Sequence, residues 1–340
     1  MKIPRCREER QNPNARNYGL GSRDIKMAAI KLLEEKRAQQ IIGFSTSAFH
    51  ASRFSIFADW LENTYSIRDM RKICLSHVIE YADHLVERIE NPDDKLNSYT
   101  TAANYLSSVN SVLSHARGDK LVHFTARDAG YPDRDDILRE NKTITHDQHM
   151  KAKELVEPRL AAQMGLKRYL GLRFEGSCKI NAKQALASAK EHGYVLIDCE
   201  KNHTPRKVSI RNAEQIKVLE EAASFQGDHH SLIPADKSYY EYSTYCYRQF
   251  SALDGYLPHS ERRYFAQTLY TETIFKLTNI SGVLCPVVAK IPHGKAHHQY
   301  LAEKLNLSLK DAKAIDRQAR KIVSLELGHK RISITNSYIG

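Results

Sequence analysis

Apolar residues recur at every third or fourth position through most of the chain, which is the spacing of helices that bury one face. The first third of the sequence contains four such stretches separated by short polar segments, and this arrangement predicts a small all-α bundle. The predicted helices begin near Ser22 and then cover about 45–64, 73–89 and 101–113. The predicted buried faces carry Ile25, Ala28, Ala29, Leu32 and Leu33 in the first helix, and Phe49, Phe54, Phe57, Ala58 and Leu61 in the second. We therefore assign a first, helical domain to 22–117, preceded by an aperiodic basic tail or arm at 1–21.

The apolar period disappears over 118–144, where charged residues, Gly and Pro are frequent, and this composition is typical of a linker. Thr145 and Gln148 then have the spacing of a capping box, which predicts the start of a helix. A single helix is expected from there towards Arg173, with Met150, Leu155, Leu160 and Met164 on its apolar face.

Two short β-like runs interrupt the helical pattern in the second half of the chain. GYVLID at 193–198 and RKVSI at 206–210 are separated by CEKNHTP, and this order predicts a β-hairpin. The remainder is mostly helical in pattern, apart from the ambiguous apolar run IFKLTNISGVLCPVV. The expected fold is therefore multidomain and mainly α, with a second, α+β domain at 145–340 that contains a small hairpin.

Composition narrows the class of partner. The 340 residues include 51 Lys and Arg against 40 Asp and Glu, a formal net charge of +11, while hydrophobic residues make up 41%. This length exceeds one ordinary core, and the apolar content is sufficient for two folded domains. The positive charge favours an anionic partner, and nucleic acid is favoured over an acidic membrane surface because no amphipathic basic helix dominates the chain.

Other features exclude several classes. No apolar run approaches the roughly 18 residues of a membrane span, and the N-terminus lacks an apolar signal core. The six cysteines are scattered without a CxxC pair, so neither a zinc ribbon nor a disulfide framework is indicated. We expect a soluble intracellular protein with reduced thiols.

The most specific pattern is LGHKRISITNSYIG at 327–340, in which His329 and Tyr338 stand nine positions apart. Three cationic stretches precede it: GLRFE contains Arg173, EKNHTPRKVSI contains Lys201, and HSER contains His259 and Arg262. Each stretch alone is common by chance, since an HxxR pair or a turn lysine is more often a solvated surface feature. Their joint occurrence in this order is far more specific.

These residue types match the needs of phosphodiester cleavage. An arginine stays charged at any working pH and donates paired hydrogen bonds to phosphate, so two arginines can neutralise the developing charge without a metal ion. A lysine on a hairpin can protonate the leaving oxygen. A tyrosine hydroxyl, with an ordinary pKa of about 10, needs such a cationic surround to attack at neutral pH.

In order and identity, these motifs resemble the active site of the tyrosine recombinases, also called the phage-integrase family. The resemblance covers 145–340, and the upstream bundle is similar in size and position to the family's SAM-like core-binding domain. Arg206-Lys-Val-Ser-Ile210 looks like the family's Arg-x-Val-Pro-Leu strand. The resemblance implies six catalytic residues: Arg173 and Arg262 as the phosphate-binding arginines, Lys201 as the hairpin lysine, His259 in the HxxR motif, His329 as a second histidine that hydrogen-bonds the phosphate, and Tyr338 as the nucleophile.

The chain departs from the family's pattern at two of these motifs. Gly176 occupies the position, three after the first arginine, where the family usually has an acidic residue. Glu175 or a different carboxylate would therefore have to support Arg173. The hairpin is not Gly-rich, which makes Lys207 a competitor for the role of Lys201, although Lys201 is favoured.

The segment between Arg262 and His329 is also longer than in compact family members, with an insertion around 285–321 whose charged second half predicts an additional helix. Three histidines in it, at 293, 297 and 298, could suggest a metal site, but no matching Cys or carboxylate spacing accompanies them, so surface or DNA-backbone contact is favoured. The sequence ends two residues after Tyr338, where family members commonly carry a docking segment. We expect that assembly uses other surfaces, or that the chain was shortened.

By resemblance, the chain is a site-specific DNA recombinase that cleaves and rejoins DNA through a 3′-phosphotyrosine, without a cofactor or metal ion. The implied partners are double-stranded DNA and further copies of the chain in a homotetramer on two DNA sites, with accessory DNA-bending proteins as candidates and no membrane. The implied setting is a phage or mobile element in a bacterial cytoplasm, at the nucleoid. The alternatives are a DNA relaxase or hairpin resolvase with the same chemistry and a non-catalytic DNA-binding regulator. RNA binding is weaker, because no RNP-like or KH-like pattern is present.

Overall fold

Four helices build the first of two units into which the chain divides, between Asp135 and Asp136. The structure, a computed structural model, describes residues 14–200 and 205–340. The helices of the first unit are α1 (Ile25–Ala38), α2 (Phe44–Tyr65), α3 (Leu75–Glu90) and α4 (Tyr99–Arg117). All four were predicted, and their observed bounds differ from the predicted ones by a few residues.

Large apolar side chains from all four helices fill the core of this unit, among them Leu32, Phe57, Tyr81 and Leu106. The prediction for α2 was wrong at Phe49, which is 60% exposed. Phe49 lies five positions before Phe54, whereas neighbours on one helix face are three or four positions apart. Residues ahead of α1 also pack on the unit, because the Asn17 backbone N–H donates to Asp69 Oδ1 at 2.9 Å.

The second unit is a helical domain with one small sheet. Its helices are α5 (His146–Glu154), α6 (Pro158–Leu170), α7 (Phe174–Lys179), α8 (Ala182–His192), α9 (Ala213–Gln226), α10 (Tyr239–Ser251), α11 (Ser260–Thr278), α12 (Pro286–Ala289), α13 (Lys295–Leu305), α14 (Leu309–Glu326) and α15 (Asn336–Ile339). Helix α11 packs against both α6 and α14, and the core of this unit contains Leu166, Phe265, Leu269 and Val323.

The single helix predicted between Thr145 and Arg173 is two helices. The capping box is confirmed, since Thr145 Oγ1 accepts from the Gln148 N–H at 3.2 Å and Gln148 Oε1 accepts from the Thr145 N–H at 2.8 Å. The break comes at Pro158, which begins α6 and forces the preceding residue into an extended conformation. The prediction was also wrong for Met150 and Leu155, which were expected on the buried face and are 42% and 72% exposed.

The predicted hairpin is confirmed. Strands β1 (Tyr194–Ile197) and β2 (Arg206–Ser209) are antiparallel, with Ile197 opposite Arg206 and Leu196 opposite Lys207. Burial alternates along β2, so Arg206 faces the interior while Lys207 faces solvent. Lys201 lies outside the described residues.

The predicted extra helix in the insertion is also confirmed, as α14, and a further helix, α13, precedes it. Across 14–200 and 205–340, every helix is too short or too polar to cross a lipid bilayer.

Candidate active site

The site begins at the tight turn between α6 and α7. Gly171 ends α6 with a φ of +61°, and a Cβ on it would lie 2.5 Å from Cδ1 of Phe265 in α11. Only glycine accommodates both the backbone conformation and this close approach. The turn brings Arg173 to the start of α7, where its side chain remains partly exposed.

Glu200 is the carboxylate that supports Arg173. Its Oε1 accepts from the Arg173 backbone N–H at 2.6 Å, and its Oε2 accepts from Arg173 Nη1 at 2.5 Å. Glu175, the nearer candidate in the sequence, pairs instead with Lys179 at 2.5 Å. The expectation of a different carboxylate is the one that the geometry favours.

Gly176 leaves the space that Glu200 fills. A Cβ on Gly176 would lie 2.7 Å from Cγ and 3.0 Å from Oε1 of Glu200. Glu200, in the segment after β1, therefore occupies the space beside α7 that a side chain at position 176 would take.

Glu200 also joins the other arginines of the site. Arg206 donates to both of its oxygens, at 3.1 and 3.2 Å, and Arg262 Nη1 lies 3.7 Å from Oε1. Burial alone would raise the pKa of the Glu200 carboxyl, but the neighbouring guanidinium groups outweigh burial and lower it to about 2. One carboxylate thus holds three positive charges together.

Arg206 is a structural member of this cluster. Besides Glu200, its side chain donates to the carbonyls of Gly171, at 3.1 Å, and Glu326. Gly328, with a φ of +69°, leaves room for it, since a Cβ there would lie 2.8 Å from Arg206 Cδ. The Gly of the Leu-Gly-His motif is thereby explained by packing.

Arg262 projects into the site from the first turn of α11 and is fully buried. It donates to the carbonyls of Gly171 and, at 2.5 Å, Leu327, while its Nε lies 3.4 Å from the Tyr338 hydroxyl. A guanidinium has five N–H groups. Three of those in Arg262 have these partners, and its Nη1 also lies 3.7 Å from Glu200 Oε1.

Tyr338 lies at the centre of the predicted residues. It belongs to α15 and is 6% exposed. Besides its contact with Arg262, its ring has two imidazole neighbours, with centroids 5.3 Å away for His259 and 5.2 Å away for His329. One protomer therefore brings the tyrosine, both histidines and Arg262 together, with Arg173 joined to them through Glu200.

Both imidazoles are poor proton acceptors in the free protein. Desolvation, followed by the charges of Arg262 and other cations, lowers the pKa of His329 to about 3. Partial desolvation, followed by the charges of Arg262 and Arg263, lowers the pKa of His259 to about 4, although part of its side chain stays exposed. At neutral pH both rings are neutral, and His329 Nδ1 has no hydrogen-bond partner in the described part of the chain.

A buried cluster of ionisable side chains holds the first turn of α11 in place. Glu261, inside the HSER motif, is fully buried, and its Oε1 lies 2.6 Å from His149 Nδ1. Its Oε2 accepts from Arg168 Nη1 at 2.8 Å. The contacts anchor the helical turn from which His259 and Arg262 project.

Sequence reasoning missed the roles of Glu200 and Glu261. Glu200 could have been suspected, because it directly precedes the predicted lysine and because Gly176 leaves Arg173 without its usual carboxylate. No sequence signal marks Glu261, since an acidic residue in the first turn of a helix is ordinarily a solvated one.

Two of the three histidines of the insertion have hydrogen-bond partners among the described residues. His297 Nε2 lies 3.0 Å from the Leu284 carbonyl, and His298 Nε2 lies 3.3 Å from Asp316 Oδ2. Burial lowers the pKa of His293. Over 14–200 and 205–340, no group of three or more His, Cys, Asp or Glu side chains has the arrangement of a metal site.

Solved integrase structures share this fold. A lambda integrase dimer bound to a COC′ core site aligns with 92% of this chain and 95% of its own, with a TM-score of 0.53 and 13% identity. The Tn1549 transposon integrase in complex with transposon right end DNA aligns with 92% and 94%, with a TM-score of 0.53 and 13% identity. No protein-family model and no curated protein sequence matches the chain. The chain therefore has the tyrosine recombinase fold. Its activity has to be inferred from the residues of the site.

Proposed function

We propose that the protein is a site-specific DNA recombinase of the integrase type. Tyr338 attacks a DNA phosphate, so that a bond forms between its oxygen and phosphorus while the bond from phosphorus to the 5′-oxygen breaks. The products are a 3′-phosphotyrosine and a free 5′-hydroxyl, and a second 5′-hydroxyl reverses the step at a new junction. The observation that carries this proposal is the Tyr338 hydroxyl 3.4 Å from Arg262, beside two imidazole rings.

The two arginines stabilise the charge of the phosphate as the bonds change. Arg262 lies beside the Tyr338 hydroxyl, and Arg173, which pairs with Glu200, keeps a partly exposed guanidinium. Fixed donors in a site from which water is largely excluded stabilise developing charge more than the same groups in water. No metal ion is required for this neutralisation.

Proton transfers complete the reaction. The phenol proton passes to one of the neutral imidazoles, His259 or His329, whose pKa rises when an anionic phosphate enters the site. Lys201 protonates the leaving 5′-oxygen. The alternative donor, Lys207, is disfavoured because its ammonium lies 4.3 Å above the Tyr194 ring, on the outer face of the hairpin.

The proposed partners are double-stranded DNA and three further copies of the chain. The net charge of +11 suits a DNA backbone. The two integrases with the same fold were solved on DNA, one of them as a dimer. We extend the proposal to a tetramer on two duplexes, with accessory DNA-bending proteins, acting on nucleoid DNA in a bacterial cytoplasm.

Covalent capture tests the chemistry. A nicked duplex that carries the ends of the element loses the short strand after cleavage, so any 3′-phosphotyrosine accumulates and is seen on a denaturing gel. We expect an adduct that maps to Tyr338, none in Tyr338→Phe, and near-normal DNA affinity in that variant. Tyr240→Phe, which changes an exposed tyrosine of the same unit, is the matched control.

Two outcomes would contradict the proposal. An adduct that persists in Tyr338→Phe would mean that the nucleophile is another residue. Failure of the wild-type protein to form any adduct on DNA that it binds would support a non-catalytic regulator. Recombinant products from a two-site substrate then separate a recombinase from a relaxase or hairpin resolvase, which would only cleave and reseal.

A further inference from the structure

Helix α15, which carries Tyr338, is too short to be stable on its own. It contains four residues, and isolated helices shorter than about 12 residues are marginal in water. The position of Tyr338 therefore depends on the contacts that its neighbours in the chain make with the rest of the unit.

One side chain, Arg320 of α14, contacts both ends of this segment. Its Nη1 donates to Asn336 Oδ1 at 2.9 Å and to the Gly340 oxygen at 2.8 Å. Asn336 and Gly340 lie on either side of Tyr338 in the sequence. Arg320 thus closes a bridge across the base of α15.

Arg320 is itself held rigidly. It is 4% exposed, and its Nε donates to Asp316 Oδ2 at 2.9 Å, one helical turn earlier. Asp316 is also buried and accepts from the Tyr270 hydroxyl at 2.6 Å, while His298 Nε2 lies 3.3 Å from its Oδ2. These contacts come from α11, α13 and α14, so the bridge connects the tyrosine segment to three helices.

We propose that Arg320 is a positioning residue for the nucleophile: it fixes α15 so that Tyr338 stays beside Arg262 and the two histidines of its own protomer. This inference rests on the proposed function for its catalytic consequence. None of the contacts described for Arg320 involves the arginines or histidines of the site. Its loss should therefore displace the tyrosine without altering phosphate recognition.

Ile339 of α15 is fully buried in the core of the unit, and two neutral hydrogen bonds restrain the helix as well. Leu138 donates its backbone N–H to the Asn336 carbonyl at 2.8 Å, and Gln267 Nε2 donates to the Tyr338 carbonyl at 3.1 Å. These neutral hydrogen bonds remain when Arg320 is changed. We therefore expect a loosened segment, not an unfolded domain.

The choice of variants avoids a trivial loss of folding. Removing the charge of Arg320 would leave Asp316 buried without its partner, which is strongly destabilising in general. Arg320→Lys keeps the charge, but a single ammonium cannot reproduce the planar fork that reaches Asp316 and both ends of α15 at once. Asn336→Ala removes one arm of the bridge and leaves the buried pair intact. Arg317→Lys is the matched control, because Arg317 is exposed on the same helix.

Hydrogen exchange followed by mass spectrometry on the full chain reads the position of the segment directly. In Arg320→Lys and Asn336→Ala, peptides that cover 332–340 should exchange about tenfold or more faster, while peptides of α11 stay protected. Arg317→Lys should match the wild type. Unchanged protection of 332–340 in both test variants would overturn the proposal.

Single-turnover adduct formation on the nicked duplex measures the catalytic consequence. We expect a rate about 10- to 100-fold lower in Arg320→Lys, because small misplacements of a reacting group have effects of that size. DNA affinity should stay within about twofold, since phosphate contacts are unchanged. Faster exchange with an unchanged rate would show that Arg320 does not position the nucleophile. If the wild type forms no adduct, the proposed function fails, and the exchange result still decides whether Arg320 holds the segment.

Discussion

At the scale of single residues, the site shows how one carboxylate can replace another. The sequence allowed Arg173, His259, Arg262, His329 and Tyr338 to be predicted because their spacings are specific, and the structure brings these five together. It did not identify the carboxylate, because the contact between Glu200 and Gly176 depends on how the segment after β1 packs on α7. Packing of this kind is a property of three-dimensional distance and leaves no periodic trace in the chain.

Variants at Glu200 and Gly176 test whether a carboxylate at this place supports the arginines. Glu200→Ala should lower the rate of adduct formation about 10²-fold, because the carboxylate that holds Arg173 and Arg262 in place is lost. Adding Gly176→Asp should restore about tenfold of that loss, since a Cβ at 176 points to within 3.0 Å of the former Oε1 position. Single-turnover cleavage of nicked DNA gives both values.

Glu191→Ala, an exposed acidic residue of α8, is the control for this pair and should behave as the wild type. A Glu200→Ala protein that cleaves within about threefold of the wild-type rate would remove Glu200 from the site. A double variant no faster than Glu200→Ala would mean that a carboxylate on α7 cannot take over its role.

At the scale of elements, the apolar periodicity predicted most of the helices. The prediction was wrong where a residue interrupts a helix without interrupting the apolar period. The four helices of the first unit, the hairpin and α14 were all expected from their patterns. The helix expected from Thr145 failed at Pro158, because an apolar period can continue across a residue that cannot continue the helix. The pairing of the hairpin was expected, but the faces of its residues come from the structure, in which Arg206 is buried and Lys207 is exposed.

The hairpin also bears on the identity of the general acid. A 5′-bridging phosphorothiolate has a sulfur leaving group, which departs without protonation. Lys201→Ala should therefore cleave ordinary nicked DNA about 10²-fold more slowly than the wild type, and the sulfur substrate at nearly the wild-type rate. Lys207→Ala should cleave both substrates normally, because its side chain faces away from the buried cluster.

The comparison of the two lysine variants decides the assignment. The assignment would be reversed if the sulfur leaving group restored cleavage by Lys207→Ala and did not restore cleavage by Lys201→Ala. A defect in Lys201→Ala that is equally large with both substrates would give Lys201 a role in binding and leave the acid unidentified.

At the scale of the whole molecule, the site concentrates positive charge inside the second unit, and this has a cost in stability. Three guanidinium groups share one carboxylate, and the imidazoles beside them have strongly lowered pKa values. The first unit has no such cluster among its described residues, and its core is largely aromatic and aliphatic. Acid should therefore destabilise the second unit.

The direction of the pH effect follows from the shifts. His329 has a pKa of about 3 in the folded chain, against 6.5 in the unfolded chain. As the pH falls from about 6.5 towards 4, the unfolded chain binds protons that the folded chain does not, so the free energy of unfolding decreases. Glu200, with a folded pKa of about 2 against 4.5, adds a further loss between about pH 4.5 and 2.

We expect Tm of the second unit, measured by calorimetry of the full chain, to fall as the pH is lowered from about 6.5 to 4. His329→Gln, which cannot titrate, should flatten that fall, whereas His192→Gln, an exposed histidine of α8, should not. A Tm for the second unit that stays constant from pH 7 to 4, or that falls as steeply in His329→Gln as in the wild type, would show that the cationic cluster does not keep the imidazoles neutral.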